Sequence, residues 1–289
     1  MRYKLRHQTV YTYEEAVNNY QSVLCLKPRD LPSQICNSFD LEIEPLPNKV
    51  YTRKDYFGNA IAYFSIHESH KILKVVANSE VEVLPKLLPQ ISPYTCEEVR
   101  QILKTNRPLK IEMFQYQLPT DYINWDDEIK RFAETCLAPN VNFFEGVQLL
   151  CAKIFTEFQF KSGSTNVNTP LKTVLKERKG VCQDFSHLAI ACLRSLGFAA
   201  RYVSGYLETL PPLGKVKLQG SDASHAWISV FVPDMGWCEF DPTNNIIPNE
   251  RHIITAYGRD YADVAPMRGI VFGSGGHKVH VEVDVIPVE

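Results

Sequence analysis

The hydrophobic pattern changes period part-way along the chain, and no other feature of the sequence limits the fold as much. At the start, Tyr3, Leu5, His7 and Thr9 alternate with Arg2, Lys4, Arg6 and Gln8, the two-residue period of a strand with one buried face. Further extended runs cover residues 39–43, 60–66, 75–77 and 81–84, with turn signals at Pro45-Leu46-Pro47-Asn48 and Phe57-Gly58-Asn59. Several short strands at this spacing predict a β-sandwich-like domain over residues 1–90. Composition shifts near Pro85-Lys86-Leu87-Leu88-Pro89, and a period near 3.6 takes over. Thr95 and Glu98 form a capping box ahead of Val99 and Leu103. Asp126 can cap a helix carrying Ile129, Phe132, Ala133 and Cys136, and Phe144, Val147, Leu150, Cys151, Ile154, Phe155 and Phe158 share the next. Thr169-Pro170 reads as an N-cap with proline at the first helical position, opening a helix to about residue 179. Gly180-Val181 breaks it. Another helix starts around Cys182, with Phe185, Leu188, Ala189, Cys192, Leu193 and Leu196 on one face and Gly197 as its stop. Extended segments follow over 200–207, 223–232 and 237–241. The alternation of Val279, Val281, Val283 and Val285 marks a final strand, free to join either sheet. The expected class is therefore α+β, with the second domain, residues 91–289, built of helices against an antiparallel sheet.

Composition narrows the function classes. With 45% hydrophobic and 22% charged residues and a net charge of −2, the 289-residue chain can bury a large core. Nothing in that charge balance favours a nucleic acid or a membrane as partner. Apolar runs stop short of the roughly 18 residues of a membrane span. The polar start Met1-Arg2-Tyr3-Lys4 leads into no apolar signal segment, so the expected location is cytoplasmic. The eight cysteines include no CxxC pair, so the tight ligand pairs of common zinc sites are missing and most should be small buried hydrophobes. No calcium-loop pattern occurs. Gly273-Ser274-Gly275-Gly276 lacks the lysine–hydroxyl pair of a phosphate cradle and reads as a turn. No metal and no organic cofactor is expected.

The chemistry lies in an ordered set: Gly180-Val181-Cys182-Gln183-Asp184, then Ala223-Ser224-His225-Ala226-Trp227, then Gly236-Trp237-Cys238-Glu239-Phe240-Asp241. A thiol at a helix start is favoured as thiolate by the unpaired N–H groups and the dipole. A histidine beside it can take and return the proton, and a carboxylate on the far ring nitrogen fixes tautomer and orientation. The Cys182 backbone N–H can donate to a developing oxyanion. The arrangement imposes a parity. A four-residue loop at 233–236 would set Asp241 opposite Ile228, on the wrong face for His225. An odd loop sets it opposite Trp227 and diagonal to His225, at about 7–8 Å between Cα atoms. An odd loop or a bulge is therefore expected.

The order Cys, His, Asp with these flanks resembles the bacterial branch of the transglutaminase-like, papain-like superfamily. Ala200-Arg201-Tyr202-Val203-Ser204-Gly205-Tyr206, Phe240-Asp241-Pro242-Thr243-Asn244 and Gly258-Arg259-Asp260-Tyr261-Ala262-Asp263-Val264-Ala265-Pro266 extend the resemblance, and Asp55-Tyr56-Phe57-Gly58-Asn59 looks like the N-terminal domain that accompanies the branch. The resemblance implies a papain-like core and catalytic roles for Cys182, His225 and Asp241. It implies a peptide or protein substrate attacked at an amide carbonyl through a thioester, by a peptidase or amidase. An amine-accepting transglutaminase and a non-catalytic binding module on the same scaffold are the alternatives. The glutamine that often supplies a side-chain oxyanion donor upstream of the nucleophile has no counterpart between Lys172 and Lys179.

Plainer roles compete at several positions. Cys192 and Cys238 should pack in the core. His187, about 140° around the helix from Cys182, should be structural. Asp184 in the first turn stabilises a helix without any catalytic role. Trp237 should be core, and Trp227 either core or a shield over the ion pair. Trp227, Arg259, Asp260 and Asp263 are candidates for the active-site rim, against a solvated loop for the last three.

Overall fold

The computed structural model describes residues 1–85, 92–209, 224–273 and 275–288. Three sequence features extend outside them: residues 86–89 of the composition shift, Ala223 before His225, and Ser274 of the glycine-rich turn.

The first domain is built on one long strand. β1 (Arg2–Leu24), β2 (Gln34–Glu44), β3 (Val50–Lys54), β4 (Ala60–Ile66) and β5 (His70–Val83) form an antiparallel sheet in the order β2-β5-β1-β4-β3. The first half of β1 pairs with β5, from Arg2 opposite Glu82 to Thr12 opposite Ile72. The register then breaks between Thr12 and Val17, and the second half pairs with β4. A break of this kind bends a strand and strengthens its twist. The sheet curls, and residues from both halves (Tyr20, Phe64 and Ile66; Ile43, Leu73 and Val75) bury in one cluster. Tyr3, Leu5, His7 and Thr9 are all buried, as the alternation predicts.

The helical region follows the capping signals closely. α1 (Cys96–Thr105) starts at the expected box: Thr95 Oγ1 accepts from the Glu98 N–H at 3.3 Å, and Glu98 Oε2 accepts from the Thr95 N–H at 2.8 Å. α2 (Arg107–Met113) follows, then α3 (Asp127–Glu134), where Asp126 accepts from the N–H groups of Glu128 and Ile129. α4 (Phe143–Glu157) and the short strand β6 (Gln159–Phe160) lead to α5 (Leu171–Glu177). Here the expected cap differs. Pro170, not Thr169, is the N-cap residue, and the Thr169 hydroxyl accepts instead from the Asn166 N–H. The helix ends at Glu177 because Arg178 turns left-handed, with φ 54°. β7 (Lys179–Gly180) then pairs with β6.

α6 (Cys182–Ser195) runs through the middle of the second domain, and every residue from Asp184 to Arg194 is buried. A helix buried all round is enclosed rather than laid on a surface. One side meets the sheet of β8 (Ala200–Leu207), β9 (Ser224–Val232), β10 (Gly236–Phe240) and β11 (His252–Gly258), ordered β10-β9-β8-β11. The other sides meet α3, α4 and α5. After α7 (Tyr261–Val264), β12 (Met267–Phe272) and β13 (His277–Val288) return to β1 and complete a seven-stranded sheet. The final strand thus joins the N-terminal sheet, pairing with β1 from Tyr13 to Arg2. Burial of Val283 and Val285 against Tyr3 and Leu5 drives that choice. No helix among the described residues is long and apolar enough to cross a membrane.

Two amides from the first domain fasten the edge of the second. Gln34 donates to the Ile254 carbonyl and accepts from its N–H, both at 2.8 Å. Asn59 does the same to Tyr257, at 2.7 and 2.9 Å. Each amide supplies the donor and acceptor that a neighbouring strand would give to β11, an edge strand. Asn59 is itself held by Asp55, whose carboxylate accepts from the N–H groups of Phe57 and Asn59 and from Asn59 Nδ2. The Asp55–Asn59 motif is thus an interdomain clamp. Asn59→Ala leaves two buried backbone groups of Tyr257 unpaired and should lower the unfolding free energy by about 2–4 kcal/mol. Urea denaturation measures this, and a loss below about 0.5 kcal/mol would show that the amide holds nothing.

Candidate active site

The helix that carries Cys182 begins where it does because of Asp184. Its Oδ2 accepts from the Val181 N–H at 2.8 Å and from Thr165 Oγ1 at 2.6 Å, folding the carboxylate back over the first turn. That leaves no room at Gly180, where an added Cβ would lie 2.8 Å from Asp184 Cβ. Burial pushes the Asp184 carboxyl up from its usual range, opposed by those two hydrogen bonds. Its role is to shape the turn. Cys182 is the first residue of α6, so its N–H has no acceptor within the helix. Of the eight cysteines, only Cys182 and Cys36 are partly exposed. Cys192 and Cys238 lie in the core, and burial pushes both thiols up, Cys238 to about 11.

The hairpin that delivers the partners has the odd loop the parity requires. Val232 pairs with Gly236 across residues 233–235, and Phe240 pairs with Ile228. Asp234 (φ 64°) and Gly236 (φ 76°) adopt the left-handed backbone of a tight turn. The register carried one residue further sets Asp241 opposite Trp227, diagonal to His225. His225 Nε2 lies 2.8 Å from Asp241 Oδ2. Cys182 is close enough to the ring to raise its pKa, and Nδ1 is the nitrogen left free to face the thiol. Burial alone would lower the His225 pKa, but the hydrogen bonds and charges of Asp241 and Cys182 lift it to about 10.

Asp241 is buried completely and sits in a cage of donors. Oδ1 accepts from the N–H groups of Thr243 (2.9 Å) and Asn244 (3.2 Å). Oδ2 accepts from His225 Nε2, from Asn244 Nδ2 at 2.7 Å, and from His252 Nε2 at 3.2 Å. Burial would raise this carboxyl, but hydrogen bonds from His225 and His252, the His225 charge and Asn244 together hold it far below the usual range. Trp227 is fully buried beneath the group, stacked on His225 (centroids 5.8 Å, 29°) and edge-on to His252 (5.2 Å).

The sequence from residue 3 to 82 matches the model of the bacterial transglutaminase-like N-terminal region, and residues 130–242 match that of the transglutaminase-like superfamily. A protein of Mycobacterium tuberculosis is 38% identical over 296 residues, covering 100% of this chain and 93% of its own. The chain belongs to the transglutaminase-like superfamily. A Mycobacterium leprae protein is 32% identical, covering 98% of each chain. The structure of a proposed cysteine protease from Cytophaga hutchinsonii superposes with a TM-score of 0.79, at 23% identity, over 100% of this chain and 92% of that one. A protein-glutamine gamma-glutamyltransferase of Pseudomonas aeruginosa is 35% identical over 72 residues, which is 25% of this chain and 11% of that protein.

The other candidates in this transglutaminase-like chain sit further off. Gly258 pairs with Tyr202, while His225 pairs with Gly205. Arg259 therefore leaves the sheet at least three residues, about 10 Å, from the level of His225. There Arg259 and Asp263 form a two-point ion pair at 2.9 and 3.1 Å, Asp260 caps α7, and the buried Arg194 guanidinium donates to the Arg259 carbonyl. Trp227 is a floor under the imidazole. Trp237 is half-buried against the core, edge-on to Tyr116. His187 accepts from the Tyr261 N–H at 3.2 Å, and burial lowers its pKa to about 3, so it is a neutral structural group. Two contributors, His252 and Asn244, were not singled out from sequence. Asn244 follows Asp241 within the quoted Phe240–Asn244 motif. His252 opens β11, a strand the sequence reading does not assign, although the run Ile253-Ile254-Thr255 is bounded by Asn249-Glu250 and Gly258.

His225, Asp241 and His252 present ligand atoms within 4.8 Å of one another. Yet both imidazole Nε2 atoms point at one carboxylate oxygen as hydrogen-bond partners, and His252 Nδ1 accepts from the Asn249 N–H at 3.3 Å. The proton of neutral His252 is therefore on Nε2, facing Asp241, and the set suits proton sharing better than metal ligation. The His225 shift also makes a prediction. Its folded pKa lies above the ordinary 6.5, so its stabilisation is complete below pH 6.5 and is lost as pH rises toward 10. The folded protein should lose stability across that window in urea titrations. Asp241→Asn should flatten the loss, because the imidazolium loses its counter-charge; an unchanged slope would contradict the assignment.

Proposed function

We propose that the chain is a cysteine-dependent acyl-transfer enzyme acting on peptide or glutamine-type amide bonds, with hydrolysis as its main outcome. The observation that supports this most is a half-buried thiol at a helix start that acts on an imidazole whose Nε2 lies 2.8 Å from a caged carboxylate. The Cys182 thiolate attacks the carbonyl carbon while His225 holds the transferred proton. The Cys182 N–H is placed to donate to the oxyanion. Collapse of the tetrahedral adduct breaks the C–N bond, and His225 gives its proton to the leaving amine or ammonia. A water then loses a proton to His225, attacks the thioester and releases the acid and the thiol. Asp241 stays ionised throughout, orienting the imidazole and offsetting its charge.

An amine that deprotonates on His225 in place of water would make the same enzyme a transglutaminase. The local similarity to the Pseudomonas aeruginosa gamma-glutamyltransferase favours keeping this reading. Incubating the full chain with a glutamine peptide, with and without a primary amine, separates the two by product mass. The hydrolytic reading expects the glutamate or cleaved peptide in both arms; a dominant amine adduct would replace it with the transferase reading. Cys182→Ala should reduce turnover at least about 1,000-fold, and retained turnover would overturn both.

A further inference from the structure

The Asp241 carboxylate serves two imidazoles. His225 Nε2 and His252 Nε2 lie 2.8 and 3.2 Å from the same oxygen, Oδ2, and side-chain exposure is 9% for His225 and zero for His252 and Asp241. His252 comes to this point from the far edge of the sheet. β8 lies between β9 and β11, and the glycine of β8 opposite His225 is Gly205. A Cβ there would lie 2.6 Å from the Trp227 ring. Trp227 fills this gap, touching both imidazoles. The tautomer of His252 is set from behind by the Asn249 N–H on Nδ1. The N–H of His252 itself donates to the Asn249 carbonyl at 3.0 Å. The ring therefore has one hydrogen to give, and it points at the oxygen His225 uses. A simple Cys-His-Asp relay does not need this second imidazole.

We propose that His252 is a positioning residue that shares the Asp241 carboxylate with His225 and thereby limits how firmly His225 holds the catalytic proton. The physical effect has one sign. A neutral N–H donor on Oδ2 draws electron density from the carboxylate and weakens its pull on the His225 proton. The positive end of the same N–H dipole faces the imidazolium and disfavours it. Without His252 the imidazolium would be over-stabilised and would release its proton to the leaving amine less readily. Asn244 Nδ2 is a further neutral donor on Oδ2, at 2.7 Å, and lies 3.3 Å from His225 Nε2; His252 adds to it from β11, and the other groups around the ring do not share this role. Cys182 on α6 and Asp241 beyond β10 favour the imidazolium. Asp184 is occupied by Thr165 and Val181, Tyr202 on β8 faces α6, and Glu239 on β10 approaches the Tyr257 hydroxyl at 3.4 Å. Burial holds His252 itself neutral, below its ordinary pKa despite Asp241.

The inference deepens the acyl-transfer reading and rests on it, but its test needs no turnover. In the full-length Cys182→Ala background, where no thiolate contributes, nitrogen-15 NMR of labelled histidines gives the His225 titration directly. His252→Met removes the donor, and His252→Gln restores an amide N–H on a side chain of the same length. The Met variant should raise the His225 pKa by about half a unit or more, and the Gln variant should return it to within about 0.2 units of the parent. A Met variant with an unchanged or lowered His225 pKa overturns the proposal, as does a Gln variant that behaves like Met. If the Met variant fails to fold, the parent protein still decides. His252 should show the Nε2–H tautomer from pH 5 to 11, with its Nε2 resonance moving as His225 titrates. An Nδ1–H tautomer, or no response to His225, overturns the inference while leaving the Cys182→Ala turnover result to judge the wider reading.

Discussion

The buried carboxylate of Asp241 is the point on which the site depends. A lone carboxylate with no solvent exposure would protonate, because burial penalises its charge severely. Here five donors from four residues surround two oxygens, and the balance falls strongly toward the ionised form. The stabilised negative charge then holds a proton on His225, the ring beside the first residue of α6. Each step passes through a short contact between rigid elements: a turn after β10, the second residue of β9, and the first residue of a helix enclosed on all sides. The side chains of the site are therefore held in place before any ligand arrives.

The curled N-terminal sheet belongs to the same construction. Its amides Gln34 and Asn59 occupy the hydrogen-bonding positions of β11 at Ile254 and Tyr257, and Ile254 lies two residues from His252. An edge strand otherwise free to fray or slip is pinned in register. Tyr3, Leu5, Val283 and Val285 add an apolar contact with Tyr206 and Ile253. The first domain therefore determines where β11 lies, and β11 carries the second imidazole. The physical connection between the domain that looks accessory and the chemistry is a short stretch of backbone.

Much of this was legible in the residues themselves. Alternation from Arg2 to Thr9 predicted the strand and its buried face, because a pleated strand has only two sides. Thr95 with Glu98, and Asp126, marked helix starts, because their short side chains satisfy otherwise unpaired N–H groups. The odd hairpin loop follows from the need to place His225 and Asp241 on one face. Local rules were less reliable where a side chain had two possible partners. Thr169 bonds back to Asn166 instead of capping α5, and nothing in the spacing favours one acceptor over the other. The motif residues Arg259 and Asp263 lie near one another and apart from His225, because β11 carries them toward the opposite end of the sheet.

By itself the sequence determined the α+β class, the order of elements, the position of Cys182 at a helix start and the parity that joins His225 to Asp241. All of these follow from interactions between residues near in sequence, or from the geometry of a single hairpin. Tertiary structure alone decided that the final strand returns to β1, that Asn59 clamps β11, and that His252 reaches Asp241. Those contacts join segments 11 to about 280 residues apart, and which distant partner wins depends on how whole sheets pack. No local pattern encodes that competition; it is resolved only when the core closes and buried polar groups must each find a partner.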